Sequence, residues 1–204
     1  MHGSIVGIVL AAGRSSRMGR DKALLHTGAG EETFVSRLVR VLQGGGVDEV
    51  IVVGRSTDEL LRSAVRAIDG PVRYVENPGP DRGQLSSIVA GIDEAESRGA
   101  GGVLVVPVDM PLVRAGTIAA AIAAFRSNTH PIVRVSCGGR HGHPVLFRSD
   151  LFDDVRNADV TVGAKAVLRA HADRVLELEV DDPGVLADVD VPADYRRVFG
   201  SDPR

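Results

Sequence analysis

Apolar positions along the first two thirds of the chain change their spacing in a regular order. Short β-branched runs, such as residues 5–10 (IVGIVL), have the length and composition of strands buried on both faces. Between these runs, apolar residues recur every three or four positions, which predicts helices with one buried face. The predicted strands are 5–10, 49–54, 72–75 and 103–108. The predicted helices centre on 34–42, 60–68, 85–92 and 117–125.

Alternation of strands and helices predicts a three-layer α/β/α fold with a mostly parallel sheet. Pro107 is expected to end the pairing of its strand, because proline donates no backbone hydrogen bond. After residue 130 the pattern changes: 132–136 and 144–148 flank the loop CGGRHGH and predict a small antiparallel excursion. Helices near 149–157 and 162–171 and a strand at 175–180 follow. A turn at 181–184, a segment 185–191 that closes the sheet region and a last helix after Pro192 complete the prediction. The chain is expected to form one domain, 1–204.

Composition and charge narrow the classes of function. The chain has 204 residues and a net charge of −3, so it has no overall basic field to attract nucleic acid. Only 3% of its residues are aromatic, and its single cysteine, Cys137, excludes an internal disulfide. Its longest apolar runs are strand-sized, and its N-terminus lacks the pattern of a signal peptide. We therefore expect a cytoplasmic protein with neither a membrane nor a nucleic-acid partner.

Directly after the first predicted strand comes an unusually basic, glycine-containing loop, within LAAGRSSRMGRDK at 10–22. Gly13 and Gly19 let the backbone approach an anion closely, and successive N–H groups can surround it. Neither a Walker loop nor a G-x-G-x-x-G motif is present. A solvated basic turn is the alternative to a phosphate-binding loop. The cations available to phosphate oxygens are Arg14, Arg17, Arg20 and Lys22.

Two aspartates follow short apolar runs and are each close to a proline. Asp109 lies in PVDMPL and Asp190 in ADVDVP, with Asp188 two positions earlier. A carboxylate held at a strand end can bind Mg²⁺, which prefers one or two carboxylates together with phosphate oxygens and water. Taken singly, such a residue is more often a helix cap or a turn former. A nearby triphosphate loop strengthens the interpretation as a metal site.

These motifs resemble those of the MobA-like NTP transferase family. The loop LAAGRSSRMGRDKALL is similar to that family's signature, and NPGPDRGQLSSIVAG, VPVDMPL, GHPVLF, VGAKAVLRAH and DVDVPADY follow in the family's order. The chain most resembles the molybdenum cofactor cytidylyltransferases, because Ala12 follows Ala11 where the guanylyltransferase branch typically has glycine. The resemblance implies a Rossmann-like sheet of the nucleotide-diphospho-sugar transferase type.

The resemblance also implies roles for particular residues. Backbone groups of the first loop would contact base and ribose, at Leu10, Ala11, Ala12 and Gly13, with Arg14 beside them. Two further residues would bind base or ribose, Gly83 and Ser86. The triphosphate and the departing pyrophosphate would be held by Arg17 and Lys22. Mg²⁺ would bind to Asp109, with Asp190 completing the metal site. The acceptor pocket would be shaped by Gly142, His143 and Pro144.

The implied activity is Mg²⁺-dependent transfer of a nucleoside monophosphate to a phosphorylated acceptor, with release of pyrophosphate. CTP and a molybdopterin-type molybdenum cofactor are the favoured substrates, and residues 1–110 and 111–204 would bind nucleotide and acceptor, respectively. Transient contact with a molybdoenzyme or its chaperone would deliver the product. Guanylyl or other nucleotidyl transfer to the same cofactor, or to a sugar or polyol phosphate, is the alternative reaction. A non-catalytic nucleotide- or cofactor-binding module is the alternative of another class.

Overall fold

The seven strands found in residues 3–28, 30–159 and 162–203, the residues that our computed structural model describes, form one sheet. The strands are β1 (Ser4–Leu10), β2 (Glu49–Arg55), β3 (Val72–Asn77), β4 (Ala100–Pro107), β5 (Ile132–Cys137), β6 (Arg140–Arg148) and β7 (Val175–Glu179). Their order across the sheet is β3-β2-β1-β4-β6-β5-β7. All neighbouring pairs are parallel except the two that involve β6. The first two residues and the last residue of the predicted 1–204 domain lie outside the described residues.

Helices cover both faces of this sheet. They are α1 (Phe34–Gly44), α2 (Glu59–Arg66), α3 (Gln84–Ser97), α4 (Ala115–Ser127), α5 (Phe152–Arg156), α6 (Lys165–Ala170) and α7 (Pro192–Phe199). Buried side chains of α1, α2, α4 and α7 form one core, and those of α3, α5 and α6 form the other. The predicted three-layer α/β/α fold, mostly parallel with a small antiparallel element, is confirmed.

The central strand β1 shows how the sequence produces two cores. Ile5 and Val9 belong to the core under α1, whereas Val6, Ile8 and Leu10 belong to the core under α3. Successive side chains of a strand point to opposite faces, so an uninterrupted apolar run serves both helical layers. The neighbouring strand β4 ends at Pro107, as the sequence predicts.

Two segments differ from their predicted form. The predicted loop 137–143 is only a tight turn at Gly138 and Gly139, because β6 already begins at Arg140 and pairs with β5. Within the described residues, the segment 185–191 contributes no strand: a 3-10 turn at Pro183–Leu186 is followed by chain without regular secondary structure. Pro183 and Gly184, directly before this segment, favour the turn over a strand.

Asp182 anchors that turn to the start of α4. Its buried carboxylate accepts hydrogen bonds from the backbone of Arg114 (3.0 Å), the hydroxyl of Thr117 (2.6 Å) and the backbone of Gly184 (3.0 Å). The chain then passes beside the end of β4, where the backbone N–H of Val189 donates to the carbonyl oxygen of Asp109 (2.9 Å). This route brings Asp190 to the carboxyl edge of the parallel strands.

No helix within the described residues has both the length and the apolar character needed to cross a lipid bilayer.

Candidate active site

A cavity of about 390 Å³ lies at the carboxyl edge of β1, β2, β3 and β4. Open parallel sheets commonly bind ligands at this edge, where helix and loop termini meet. Of the residues predicted for the site, eight line the cavity: Leu10, Ala11, Ala12, Gly13, Arg14, Lys22, Gly83 and Asp109. The cavity is also lined by Ser15, Arg55, Pro80, Asp81, Gln84, Ser87, Pro107 and Val108.

The basic loop leaves β1 in a fixed geometry. Ala11 donates its N–H to the carbonyl of Val53 (2.8 Å), so the loop begins by bridging two strands. Ser15 then adopts φ 49°, and its carbonyl accepts hydrogen bonds from the N–H groups of Met18 and Gly19. The Ser15 hydroxyl also accepts from the N–H of Lys22 (3.1 Å). These contacts define where the lysine enters the site.

Lys22 lies between the two predicted metal-binding aspartates. Its ammonium is 3.0 Å from Oδ2 of Asp109 and also contacts Oδ1 of Asp190. Arg17 reaches the other oxygen of Asp190, with NH2 3.0 Å from Oδ2. Only 11% of the Lys22 side chain is exposed, and 24% of each carboxylate side chain, so these charges interact in partial shelter from water.

The pKa of Lys22 reflects this environment. Burial disfavours the ammonium, but hydrogen bonds to Asp190 and Asp109 and the charges of both carboxylates outweigh the burial and raise the pKa of Lys22. The hydrogen bond from Lys22 lowers the pKa of Asp190, and the charges of Lys22 and Arg17 lower it further. The lysine is therefore cationic and Asp190 anionic at neutral pH.

The donors at this point fit a divalent metal ion such as Mg²⁺. Asp109 and Asp190 supply hard carboxylate oxygens that already converge on one cation, the ammonium of Lys22. No group of three or more His, Cys, Asp or Glu side chains suited to a metal occurs within the described part of the chain. A pair of carboxylates suits an ion that takes its remaining ligands from substrate phosphates and water, rather than a fully caged ion.

A second ion-pair cluster lies at the rim of the cavity. Arg14 donates from Nε (3.1 Å) and NH2 (2.8 Å) to Oδ1 of Asp81, and NH2 of Arg55 is 3.6 Å from the same oxygen. Asp81 belongs to the loop between β3 and α3, whereas Arg14 belongs to the glycine loop. The pair thus connects two sides of the cavity mouth.

Asn77, at the end of β3, organises the wall formed by the start of α3. Its side-chain amide is 1% exposed and donates to the hydroxyls of Ser86 and Ser87 (2.9 Å each), while its oxygen accepts from the N–H of Gly79 (2.8 Å). Gly83 precedes α3 at φ 85°, a conformation that favours glycine. Ser87 lines the cavity, whereas the predicted Ser86 lines a separate cavity on the other side of the loop.

The predicted acceptor residues lie on β6, beside β4. Gly142 is packed so closely that a Cβ there would lie 2.2 Å from the carbonyl oxygen of Val185. Pro144 is buried. Burial lowers the pKa of His143, although the charge of Asp109 opposes the shift, and its Nδ1 is a buried atom with no hydrogen-bond partner among the described residues. His143 therefore lies near Asp109 but does not line the cavity.

Sequence reasoning missed several cavity residues. Arg55 had a signal, because it ends the second parallel strand at the same edge as Leu10. No such signal marks four others, because their places depend on how two loops fold and on how the start of α3 is rotated: Ser15, Asp81, Gln84 and Ser87. Arg17 and Asp190 were predicted and lie outside the cavity lining, but they join it through Lys22.

Comparison with known proteins agrees with this architecture. Residues 7–175 match the family model for the MobA-like NTP transferase domain. The chain is 35% identical over 135 residues to the "Probable molybdenum cofactor guanylyltransferase" of Opitutus terrae, an alignment that covers 66% of this chain and 62% of that protein. It is 28% identical to the purine catabolism protein PucB of Bacillus subtilis, with 95% of each chain covered.

The crystal structure of Rv0371c from Mycobacterium tuberculosis H37Rv is similar to this chain, with a TM-score of 0.76 and 29% identity over 98% of this chain and all of that one. A structure of the same protein in complex with manganese gives a TM-score of 0.70 and 28% identity, again covering 98% of this chain and 100% of that chain. The similarity spans both parts of the sheet.

A mostly parallel sheet with a glycine loop, a lysine and two aspartates at its carboxyl edge defines a nucleotide-binding α/β domain. The chain belongs to the MobA-like NTP transferase domain family, as its sequence motifs predicted. It is a nucleotidyltransferase of that family.

Proposed function

We propose that this protein transfers a nucleoside monophosphate from a nucleoside triphosphate to the phosphate of a molybdenum-cofactor-type acceptor, with GTP as the nucleotide donor. The observation that supports this most strongly is the convergence of Lys22, Asp109 and Asp190 beside the glycine loop. Cations and carboxylates drawn from three distant parts of the chain meet where a triphosphate and a divalent ion can lie together.

Residues of the glycine loop and of the start of α3 would hold the nucleotide. Backbone groups at Leu10, Ala11, Ala12 and Gly13 and the wall at Gly83 face one cavity, which suits base and ribose. Lys22 and Arg17 would hold the triphosphate chain, with Arg14 at the rim. Ser86 would act from behind this wall through its hydrogen bonds to Asn77 and Gly83, rather than by direct contact.

The chemistry needs orientation and charge neutralisation more than proton transfer. An oxygen of the acceptor phosphate forms a bond to the α-phosphorus while the bond from that phosphorus to the bridging oxygen breaks, and pyrophosphate leaves with the electron pair. Since a phosphate monoester is largely ionised at neutral pH, the attacking oxygen needs no strong base. Lys22 and Arg17 offset the charge that grows on the departing pyrophosphate.

Asp109 and Asp190 would bind the divalent ion, which polarises the phosphate oxygens and neutralises part of their charge when bound. We propose Mg²⁺ for this role. The manganese complex of Rv0371c supports a divalent ion in a similar protein.

The acceptor would bind on the β6 side of the two aspartates. Gly142, His143 and Pro144 lie on the strand next to β4, and His143 is close enough to Asp109 for the carboxylate charge to influence its pKa. We therefore propose that residues 1–110 bind nucleotide and residues 111–204 provide most of the acceptor pocket, within one domain. Delivery of the product by brief contact with a molybdoenzyme or its chaperone belongs to the same proposal.

We choose GTP as the proposed donor because similar proteins carry the name molybdenum cofactor guanylyltransferase. CTP is the second candidate, and a specific observation favours it. Ala12 lines the cavity with a buried side chain at the position where the guanylyltransferase branch typically has glycine. Its methyl group takes space beside the nucleotide that a glycine would leave free.

A panel of pyrophosphate-release assays separates these candidates. Purified protein with Mg²⁺ is given GTP, CTP, ATP or UTP, each with molybdenum cofactor, with a sugar 1-phosphate, with a polyol phosphate or without acceptor. Release only with GTP and the cofactor supports the proposal, and release only with CTP selects the second candidate. Release only with a sugar or polyol phosphate refutes the proposed acceptor. If no combination releases pyrophosphate, the protein is a binding module and the proposed reaction is wrong.

A further inference from the structure

The carboxylates of Asp109 and Asp190, here called the carboxylate pair, are already neutralised by cations of the chain itself. Lys22 contacts one oxygen of each aspartate, and Arg17 contacts the remaining oxygen of Asp190. Three of the four carboxylate oxygens therefore have a cationic partner, and the four charges cancel. A free divalent ion approaching this group meets little net negative charge.

Lys22 is fixed in this bridging position by its backbone as well as by its ammonium. Its N–H is bonded to the Ser15 hydroxyl, and its side chain is mostly buried. A divalent ion that binds both carboxylates must displace the ammonium from between them, because the ammonium and the ion compete for the same oxygens. Metal binding to the protein alone thus requires the separation of close opposite charges in a sheltered place.

We propose that Lys22 and Arg17 act as internal counter-ions, which keep the carboxylate pair closed to a free divalent ion until a triphosphate draws the two cations away. The ligand of the site is then the metal–triphosphate complex rather than the metal followed by the nucleotide. This inference rests on the proposed function in one respect only, namely that a triphosphate binds beside the glycine loop.

Both cations are placed to change partners. Lys22 lines the cavity, and Arg17 is 71% exposed within the same loop, so each can reach an anion there without unfolding the loop. A triphosphate offers several phosphate charges in place of one or two carboxylates. Since linkage is reciprocal, the factor by which triphosphate improves metal binding equals the factor by which metal improves triphosphate binding.

Manganese titration followed by electron paramagnetic resonance of the free ion tests the inference without any reaction. The probes are Mn²⁺ alone and Mn²⁺ with inorganic tripolyphosphate, with the affinity of tripolyphosphate for Mn²⁺ in buffer subtracted. For the wild-type protein we expect Mn²⁺ affinity to rise about tenfold or more when tripolyphosphate is present. Equal Mn²⁺ affinity with and without tripolyphosphate contradicts the inference.

Variants assign the effect to particular cations. Lys22→Met removes the ammonium with little change in side-chain length, and we expect Mn²⁺ alone to bind about tenfold more tightly to it than to wild type. Arg17→Met should produce a smaller gain, because Arg17 contacts only Asp190. Arg20→Met is the matched control: Arg20 belongs to the same loop but is exposed and pairs with neither aspartate, so its loss should leave the binding of Mn²⁺ alone nearly unchanged.

Circular dichroism melting establishes that each variant is folded. If Lys22→Met does not fold, two measurements still test the inference: the Mn²⁺ affinity of Arg17→Met, and that of the wild type with and without tripolyphosphate. Arg17→Met should fold, because Arg17 is a surface residue. A folded Lys22→Met protein that binds Mn²⁺ as weakly as wild type overturns the inference, as does an equal gain in Arg20→Met. Neither result depends on the base, the acceptor or turnover, so failure of the proposed function is recognised separately by the pyrophosphate assays.

Discussion

The backbone N–H of Val189 donates a 2.9 Å hydrogen bond to the carbonyl oxygen of Asp109. This bond fixes the C-terminal segment beside the end of β4 and places Asp190, the next residue, against Lys22. The side chain of Asp194 accepts from the N–H of Asp190 (3.2 Å) and so holds it from the other side. The candidate site therefore depends on a contact between residues that are 80 positions apart, and not on the glycine loop alone.

Replacement of Asp190 by asparagine should slow the reaction, whereas the same replacement at the nearby exposed Asp188 should not. The amide of Asp190→Asn lacks the charge that pairs with Lys22 and Arg17 and is a poorer metal ligand, so we expect the rate of pyrophosphate release to fall about 10²–10³-fold. Asp188→Asn is the matched control, because Asp188 is an exposed carboxylate two residues earlier. Steady-state kinetics of both variants give the comparison, and similar rates for the two would contradict the role of Asp190.

Particular residues show how far sequence alone could lead. The strand at 5–10 and the end of β4 at Pro107 were predictable, because β-branched runs and proline act locally. The 3-10 turn at Pro183–Leu186 begins within the predicted turn and extends into the expected closing segment. The sequence did not reveal that Asp182 accepts hydrogen bonds from Arg114 and Thr117 at the start of α4, far away in the chain. Motif order predicted that Asp109 and Asp190 belong to one site.

The contact between Asp109 and Asp190 through one lysine was beyond sequence reasoning, because it depends on the Val189 hydrogen bond and on the conformation of Ser15. The choice between Ser86 and Ser87 was equally hidden. Both follow Gly83 in the first turn of α3, and only the rotation of the helix decides which hydroxyl faces the cavity.

Asn77 should affect nucleotide binding more than turnover. Asn77→Ala removes three hydrogen bonds that hold Gly79, Ser86 and Ser87, so we expect the KM for nucleotide to rise about tenfold while kcat at saturation changes little. The reason is that Asn77 supports the wall of the cavity without touching the carboxylate pair. Initial-rate measurements over a range of nucleotide concentrations separate the two parameters.

Thr117→Val is the matched control for Asn77→Ala. It also removes a buried hydrogen bond, from the Thr117 hydroxyl to Asp182, but at the start of α4 and away from the cavity lining. Both variants should lose about 1–3 kcal/mol of stability. A similar rise in KM in both would mean that general destabilisation, and not the wall of the cavity, explains the effect.

Asp182 should be a major contributor to folding stability. Its carboxylate is 2% exposed and accepts hydrogen bonds from Arg114, Thr117 and Gly184, all of which lose a partner in Asp182→Ala. We expect a loss of about 3 kcal/mol and a fall in Tm of roughly 6–12 °C, measured by circular dichroism. Asp181→Ala, at the exposed neighbouring position, should shift Tm little. Equal falls in Tm for the two variants would show that the hydrogen bonds of Asp182 do not contribute to folding stability.

Asp21, next to Lys22, should make stability depend on pH. Burial raises the pKa of Asp21 to about 6 from an ordinary value of 3.8; the hydrogen bond from Ala23 opposes the shift, and the nearby Asp58 adds to it. The folded state thus holds a proton on Asp21 that the unfolded chain releases near pH 4. The stabilisation by this proton is complete below pH 3.8 and is lost as the pH rises through about 6.

Asp21→Asn should therefore stabilise the protein at pH 8 and should do so clearly less at pH 4.5, where the folded protein still holds the proton. The amide keeps an oxygen for the N–H of Ala23 and carries no charge towards Asp58, so it relieves a cost of about 2–3 kcal/mol above pH 6. Urea unfolding of both proteins at the two pH values measures the difference, in which other titrating groups largely cancel. Asp69→Asn, at an exposed position, controls for the loss of one negative charge. A gain for Asp21→Asn that is equal at both pH values would contradict the raised pKa, because only an ionising group makes the gain depend on pH.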